Sequence, residues 1–407
     1  MNKKYISPFK PRKIKDINTS GFNIYTFNSG YKKFKEDLLV IVFEKPVEFA
    51  TVFTKSSTPS APIIWHKKQY KKNPCKILIV NSGNANAYTG NKGIESIKKY
   101  TSFAAQIFNC KLNQVLVSST GIIGEQLNPQ PIIKKLKLIK NTKSLKLIQA
   151  AKAIMTTDTY PKVAVETVRI NKKKIRIYGI AKGSGMIAPN MGTMLSYIFI
   201  EASLTSNRLN KFLKSNIEDT FNSISVDGDM STNDTVMVFS VGKTKLENIG
   251  KKNQIFKSIS ASLKKVMNNL ALQIVCDGEG ISKLIEVKVS NAKNKTQAKK
   301  IAFAISESLL VKTAICGEDA NWGRIIMAIG KTSEKINPNK LTLLIGDYVI
   351  IKNGKVSRKF NEKKLYNYMK NNIIKINLNL KIGSYDKTVW SSDLTKKYIE
   401  INANYRS

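Results

Sequence analysis

A mixed α/β fold is what this sequence predicts. Short β-forming apolar runs alternate with stretches of helical spacing, and they do so along the whole chain. No repeat, low-complexity block or clear linker interrupts the alternation, so no domain boundary stands out. With 407 residues, 42% of them hydrophobic, the chain can bury a large core and is too apolar to be disordered.

The elements follow in order. Ile77–Val80 and Val115–Val117 read as strands, each ending in small polar residues. Between them Ile94, Ile97, Ala104, Ile107 and Phe108 recur at helical spacing. Ile175–Ile180 and Met194–Ile200 read as strands. Leu209, Phe212, Leu213, Ile217 and Phe221 then mark a helix, and Val236–Val241 another strand. A second helix is carried by Ile255, Ile259, Leu263, Val266, Met267 and Leu270, a third runs near Ala298–Leu310, and Leu341–Ile345 is a further strand. Lys134–Lys143 and Lys352–Lys364 read as mostly solvated lysine-rich surface.

The net charge of +40 invites a nucleic-acid reading, since neutralising phosphates is how basic proteins bind DNA and RNA. Its make-up argues against one. Of 68 basic residues only seven are arginine, and the lysines are scattered from Lys3 to Lys397. Base and phosphate readers favour the planar guanidinium. The basic start MNKKYISPFKPRKIK is followed by no apolar run of a secretory signal, and no stretch approaches the ~18 apolar residues of a membrane span. Cys75, Cys110, Cys276 and Cys316 lie far apart with no C-x-x-C pair, which argues against zinc or a disulfide framework and for a reducing cytoplasm.

His66 is the only histidine, and it stands in Trp-His-Lys-Lys without a companion motif, so a surface or packing role is the better reading. A nucleophile in this chain is therefore activated by a lysine, a carboxylate or an α-amino group. In IRIYGIAKGSGMIAPNMGTM (Ile175–Met194), Gly183, Gly185 and Ala188 satisfy a loose dinucleotide pattern, but Pro189 stands where the required helix would be. Gly192 there can take a strained conformation that lets the Thr193 hydroxyl attack the preceding carbonyl; a plain glycine turn is the competing reading. VSSTGIIG from Val117 offers backbone N–H groups and a threonine hydroxyl for an oxyanion hole, or else a helix cap. NSGNANAYTG from Asn81 reads as a binding or capping turn. SVDGDMSTNDT from Ser225 lacks the closing glutamate of a calcium loop and reads as a hydrogen-bonded turn and helix cap. VKTAICGEDANWGR from Val311 concentrates Lys312, Glu318, Asp319, Trp322 and Arg324. The turn Asp277-Gly-Glu-Gly280 sets two carboxylates either to hold a substrate ammonium or to face solvent.

Together these motifs resemble the ornithine acetyltransferase family, also called glutamate N-acetyltransferase or bifunctional arginine biosynthesis protein. The likeness covers essentially the whole chain, adding TTDTYPK at Thr156, KGSGMIAPNMGTML at Lys182 and INANYRS at the C-terminus. The resemblance implies a self-processing α/β fold of the α+β type, a sandwich-like body related to certain self-cleaving aminopeptidases. It implies cleavage between Gly192 and Thr193 into an α chain, 1–192, and a β chain, 193–407, interleaved in one body. Thr193 is then the nucleophile, Thr120 and Gly121 form the oxyanion hole, and Thr156, Lys182, Thr193, Glu279, Asn402 and Ser407 contact the substrate. The implied reaction moves an acetyl group from N2-acetylornithine to glutamate through an acetyl-threonine, with no metal or bound cofactor, in a cytoplasmic assembly of two α and two β chains that binds no specific nucleic acid and no membrane. Some members also use acetyl-CoA as a substrate, and no residue here decides between the two forms. Gly192 stands where the family more often has alanine, and Ser407 replaces a common terminal threonine. The rival readings are a self-processed aminopeptidase or amidase with an N-terminal threonine and, on charge alone, a nucleic-acid-binding protein.

Overall fold

The computed structural model describes residues 5–14, 16–69, 74–170, 173–188, 194–242, 244, 252–358 and 361–404. Its centre is two stacked sheets. In the first, the strands run in the order Phe22–Phe27, Leu38–Val47, Cys75–Asn84 and Val115–Ile122, the last pair parallel. In the second the order is Phe49–Phe53, Thr235–Ser240, Leu195–Ile200, Lys173–Lys182 and Lys162–Ile170. Only the Thr235–Ser240 and Leu195–Ile200 pair is parallel there. The second sheet takes strands from both sides of residue 193.

Side chains alternate faces along a strand, so each sheet supplies two cores. Leu39, Ile41, Phe43, Leu78 and Val80 meet Tyr178, Tyr197, Phe199, Met237 and Phe239 between the sheets. Phe22 stacks on Phe199 at 4.5 Å, and Phe43 meets Phe239 at 5.0 Å. Leu38, Val40, Ile77, Ile79, Val115 and Val117 face outward onto the helices Ala61–Gln69, Gly90–Ile107 and Gln130–Leu138. On the far side Ile177, Ile198, Ile200, Val236 and Val238 pack against Ser206–Ile217 and Lys252–Val275. The layers are thus helix, sheet, sheet, helix. Because the central strands are covered on both faces, segments such as Ile77–Val80 and Val236–Phe239 read as unbroken apolar runs.

A third sheet, ordered Lys355–Val356, Tyr348–Lys352, Thr342–Ile345, Ile373–Asn379, Leu284–Ala292, Tyr385–Ser392 and Ile224–Ser225, forms a second core. It is covered on one face by the helices Lys295–Ser306, Leu309–Cys316, Trp322–Gly330 and Glu362–Met369. Ile373–Asn379 accordingly alternates, burying Ile374, Ile376 and Leu378.

The structure supports the expected α/β sandwich body and corrects one local reading. The single helix expected near Ala298–Leu310 is two, because the Ser308 side chain accepts from Val311 N–H and caps a new helix at Leu309. Lys134–Lys143 is mostly solvated as expected, with Leu136 and Ile139, and Ile132 just before them, buried under the lysine-covered exterior.

His66 is a packing residue. Its ring lies edge-on to Phe53 at 4.7 Å and to Phe49 at 6.0 Å, and burial pushes its pKa down to about 4. The unfolded chain, with the ordinary value near ~6.5, takes up a proton that the fold refuses. Stability from this group is therefore complete above pH ~6.5 and lost as the pH falls toward 4, by up to about 3 kcal/mol. Urea melts from pH 7 to 4 on wild type and His66→Phe should show a shallower fall in the variant; parallel curves would remove His66 as the source.

Candidate active site

One cavity of about 260 Å³ opens where the two stacked sheets end together. It is lined by Thr120, Gly121, Ile122, Ile123, Thr156, Thr157, Lys182, Gly185, Met186, Ser231, Asn233, Glu279 and Asn402. Six residues singled out from sequence are among them: Thr120, Gly121, Thr156, Lys182, Glu279 and Asn402. Gly192, Thr193 and Ser407 lie outside the described residues.

Thr120 and Gly121 end the strand Val115–Ile122, which continues through VSSTGI with no helix to cap. Gly121 has φ +136, and a Cβ there would stand 2.2 Å from the carbonyl carbon of Gly83 on the adjoining strand. Only glycine fits so close an approach. Lys182 ends the strand Lys173–Lys182 and is paired in register with Leu195. Its Nζ donates to Thr120 Oγ1 at 3.0 Å, joining the two sheets inside the site. Burial lowers the Lys182 pKa, outweighing the pull of Asp158, Asp234 and Glu279. A protonated lysine only donates, so Thr120 accepts that bond and its own hydroxyl proton is available elsewhere.

The Asp277–Gly280 turn is not a solvated one. Asp277 is fully buried, and Glu279 is buried with Oε2 accepting from Asn402 Nδ2 at 2.8 Å. Gly185 closes over that carboxylate so tightly that a Cβ would stand 2.4 Å from Oε2. Asn402 comes from the helix Lys396–Ala403, tied down where Thr395 Oγ1 donates to Gly280 O at 2.7 Å.

A buried network that sequence reading missed holds these parts in place. Lys162 is fully buried, with Nζ 2.6 Å from both Asp158 Oδ1 and Asp277 Oδ2. Asp158 also accepts from Thr156 N–H at 2.9 Å and Gly183 N–H at 2.7 Å; Asp277 accepts from Thr159 N–H at 2.9 Å and from its hydroxyl. Burial alone would raise the Asp158 pKa, but Lys162, Lys182 and the Gly183 N–H overcome it and hold the carboxyl ionised. Asp158 and Lys162 stand four apart in TTDTYPK, a spacing that resembles a surface pair; the second carboxylate comes from 115 residues away.

SVDGDMSTNDT is a turn that leads into the strand Thr235–Ser240, without the helix that a cap would need. It holds the backbone at Met186, Ile187 and Met194. Asp227 accepts from Met186 N–H at 2.6 Å and Ile187 N–H at 2.9 Å on one side, and Asp234 from Met194 N–H at 2.8 Å on the other. Among the described residues no group of three or more His, Cys, Asp or Glu is placed to hold a metal. Lys312, from the motif at Val311, is buried away from this cavity, its Nζ on Val226 O at 2.6 Å and Ser392 O at 2.5 Å.

The sequence profile of the ArgJ family matches residues 23–407. A protein from Bartonella henselae named arginine biosynthesis bifunctional protein ArgJ is 43% identical over 406 residues, 99% of each chain. One of the same name from Mesorhizobium japonicum is 42% identical over 409 residues, again 99% of each. A crystal structure of the Bacillus halodurans protein of that name is 38% identical, covering 52% of this chain and 100% of its own, with a TM-score of 0.46.

Asn233, itself in the cavity wall, joins the pieces: its buried Nδ2 donates to Ala85 O at 2.6 Å and Ser119 O at 2.8 Å. Asn233→Ala strands both acceptors, and urea denaturation should show a loss of roughly 2–4 kcal/mol. A loss below ~1 kcal/mol would mean that water replaces the amide.

Proposed function

The chain belongs to the ArgJ family, and on that footing we propose that it transfers the acetyl group of N2-acetylornithine to glutamate through an ester on Thr193. It is an acetyltransferase of arginine biosynthesis. The observation that carries the site assignment is the convergence of Thr120, Gly121, Thr156, Lys182, Glu279 and Asn402 on one cavity, beside the strand that pairs Leu195 with Lys182.

The chemistry begins with the chain itself. The Thr193 hydroxyl attacks the Gly192 carbonyl, the peptide becomes an ester, and water cleaves the ester to leave an α chain of 1–192 and a β chain of 193–407. The freed α-amine has an ordinary pKa near ~7.7–8.0, so it accepts the Thr193 hydroxyl proton near neutral pH. Thr193 Oγ then attacks the acetyl carbonyl of acetylornithine. The Gly121 N–H and Thr120 hydroxyl receive the oxyanion, a term of ~2.7–4 kcal/mol for such a donor. As the C–N bond breaks, the ammonium returns its proton to the departing ornithine nitrogen. The glutamate amine attacks the acetyl ester, releasing N-acetylglutamate and Thr193.

Lys182 meets a substrate carboxylate and Glu279 an ammonium, with Thr156, Asn402 and Ser407 completing the contacts. This route uses no metal and no bound cofactor. Two α and two β chains form the assembly, and the enzyme works in the cytoplasm; among the described residues no helix is long and apolar enough to cross a membrane.

Thr193→Ala should remain one 45.5 kDa chain and show no acetyl transfer, while wild type with labelled acetylornithine should carry label on its β chain. A variant that still cleaves would sink the assignment, and release of acetate without transfer to glutamate would favour the amidase reading. Relatives named bifunctional lead us to expect N-acetylglutamate from acetyl-CoA and glutamate without acetylornithine. Mass spectrometry of that reaction checks this; formation only when acetylornithine is added would make the enzyme monofunctional.

A further inference from the structure

Lys312 belongs to the motif VKTAICGEDANWGR, none of whose residues lines the cavity, and it has almost no access to water. Its helix, Leu309–Cys316, packs Val311 and Ile315 into the core of the third sheet, while the Lys312 ammonium reaches out of that core. Three protons meet three oxygens: Val226 O at 2.6 Å, Ser392 O at 2.5 Å and Ser391 Oγ at 3.2 Å, with Ser392 Oγ at 3.4 Å beside them. Burial lowers its pKa to about 8, against the pull of Asp227, Asp393 and Glu307, so near neutral pH it is mainly an ammonium. A desolvated cation that spends its protons on backbone carbonyls fixes the segments that carry them.

Those segments lead to the cavity from two directions. After Val226 comes Asp227, which accepts from Met186 N–H and Ile187 N–H. Met186 lines the cavity with φ +55, a left-handed conformation that a side chain rarely adopts unless held. Gly185, just before it, closes over Glu279. After Ser392 comes Asp393, whose carboxylate accepts from Ser282 N–H at 2.9 Å and from the Ser282 hydroxyl, three residues beyond Glu279. The chain then enters the helix Lys396–Ala403, which supplies Asn402, and Tyr398 of that helix donates to Asp227 Oδ2 at 3.3 Å. Met186, Glu279 and Asn402 thus stand on segments that Lys312 ties together.

We infer that Lys312 is a positioning residue for the side-chain ammonium of acetylornithine: it touches no substrate, and it places Glu279 by clamping the segments that surround that carboxylate. In acetylornithine the α-nitrogen is an uncharged amide, so the side-chain ammonium is the cation left for Glu279 to meet. This rests on the acetyltransferase reading and on Glu279 as the ammonium partner.

The test is a double-mutant cycle on the full-length enzyme: wild type, Lys312→Met, Glu279→Gln and the pair, read as cleaved fraction, thermal melting, and kcat and KM for acetylornithine. Lys312→Met should fold and cleave, and lose ~10-fold in kcat/KM, most of it as a higher KM. In the Glu279→Gln background the same change should cost under ~3-fold, because the carboxylate that Lys312 places is gone. Lys312→Gln, which keeps a donor, should recover part of the loss. A purely structural role predicts equal losses in both backgrounds, and that result would overturn the inference. So would a loss confined to kcat, a folded variant that stays uncut, or unfolding of both Lys312 variants. If wild type moves no acetyl group from acetylornithine to glutamate, the acetyltransferase reading itself fails; if it does and the cycle shows no coupling, only this inference fails.

Discussion

One buried ammonium carries the architecture of the site. Lys162 has no access to water and sits 2.6 Å from two carboxylates that come from distant parts of the chain. Desolvating three charges is expensive, and the Coulomb attraction offsets it only with good geometry and further hydrogen bonds. Those bonds are present, and they reach the cavity: Asp158 fixes the backbone at Thr156 and Gly183, and Asp277 fixes Thr159 and leads directly into Glu279. Remove the ammonium and two buried anions face each other behind the cavity. The network thus acts on the chemistry through positions, holding Lys182 and Glu279 at the separation that the cavity requires.

The interior electrostatics are the opposite of the surface. The net charge of +40 comes from lysines, most of them solvated, whereas Asp158, Asp234, Asp277 and Glu279 are buried with Lys162 and Lys182 in the cavity wall and behind it. At the surface each charge is screened within roughly 8–10 Å by salt. Inside, a single neighbour decides whether a group is ionised, which is why Asp158 and Asp234 shift in opposite directions although both are fully desolvated. Asp158 has two lysines and backbone donors; Asp234 has a backbone N–H, the Thr54 hydroxyl and a lysine bonded elsewhere, which do not outweigh its burial.

Much of the fold was legible because burial on both faces writes itself plainly. Ile77–Val80 is an unbroken apolar run and Met194–Ile200 is interrupted only by the buried Ser196, as strands covered by a sheet on one side and helices on the other must be. The break at Ser308 was less visible, since Phe303, Ile305 and Val311 keep a helical rhythm across a capping residue that changes the axis. At the site, residues with unusual neighbours in sequence were easy to single out: Gly121 for following the hydroxyl residues of VSSTG and Glu279 for its glycine flanks. Lys162 and Asp234 were not. A buried ion pair and a buried carboxylate are properties of three-dimensional proximity, and their local spacing looks like that of any surface lysine or turn aspartate.

The second sheet has a topological consequence for a chain cut after Gly192. Lys173–Lys182 would belong to one product and Leu195–Ile200 to the other, yet they remain neighbours paired over six residues, and Phe49–Phe53 grips Thr235–Ser240 in the same way. The seam between the products would be the middle of a β-sheet, with aromatic rings stacked across it. Such halves are not subunits that meet by diffusion. Either alone would expose bare strand edges and apolar faces, an invitation to aggregate. Assembly would therefore be inherited from the folding of the intact precursor, and the cut could be late, traceless in shape and practically irreversible.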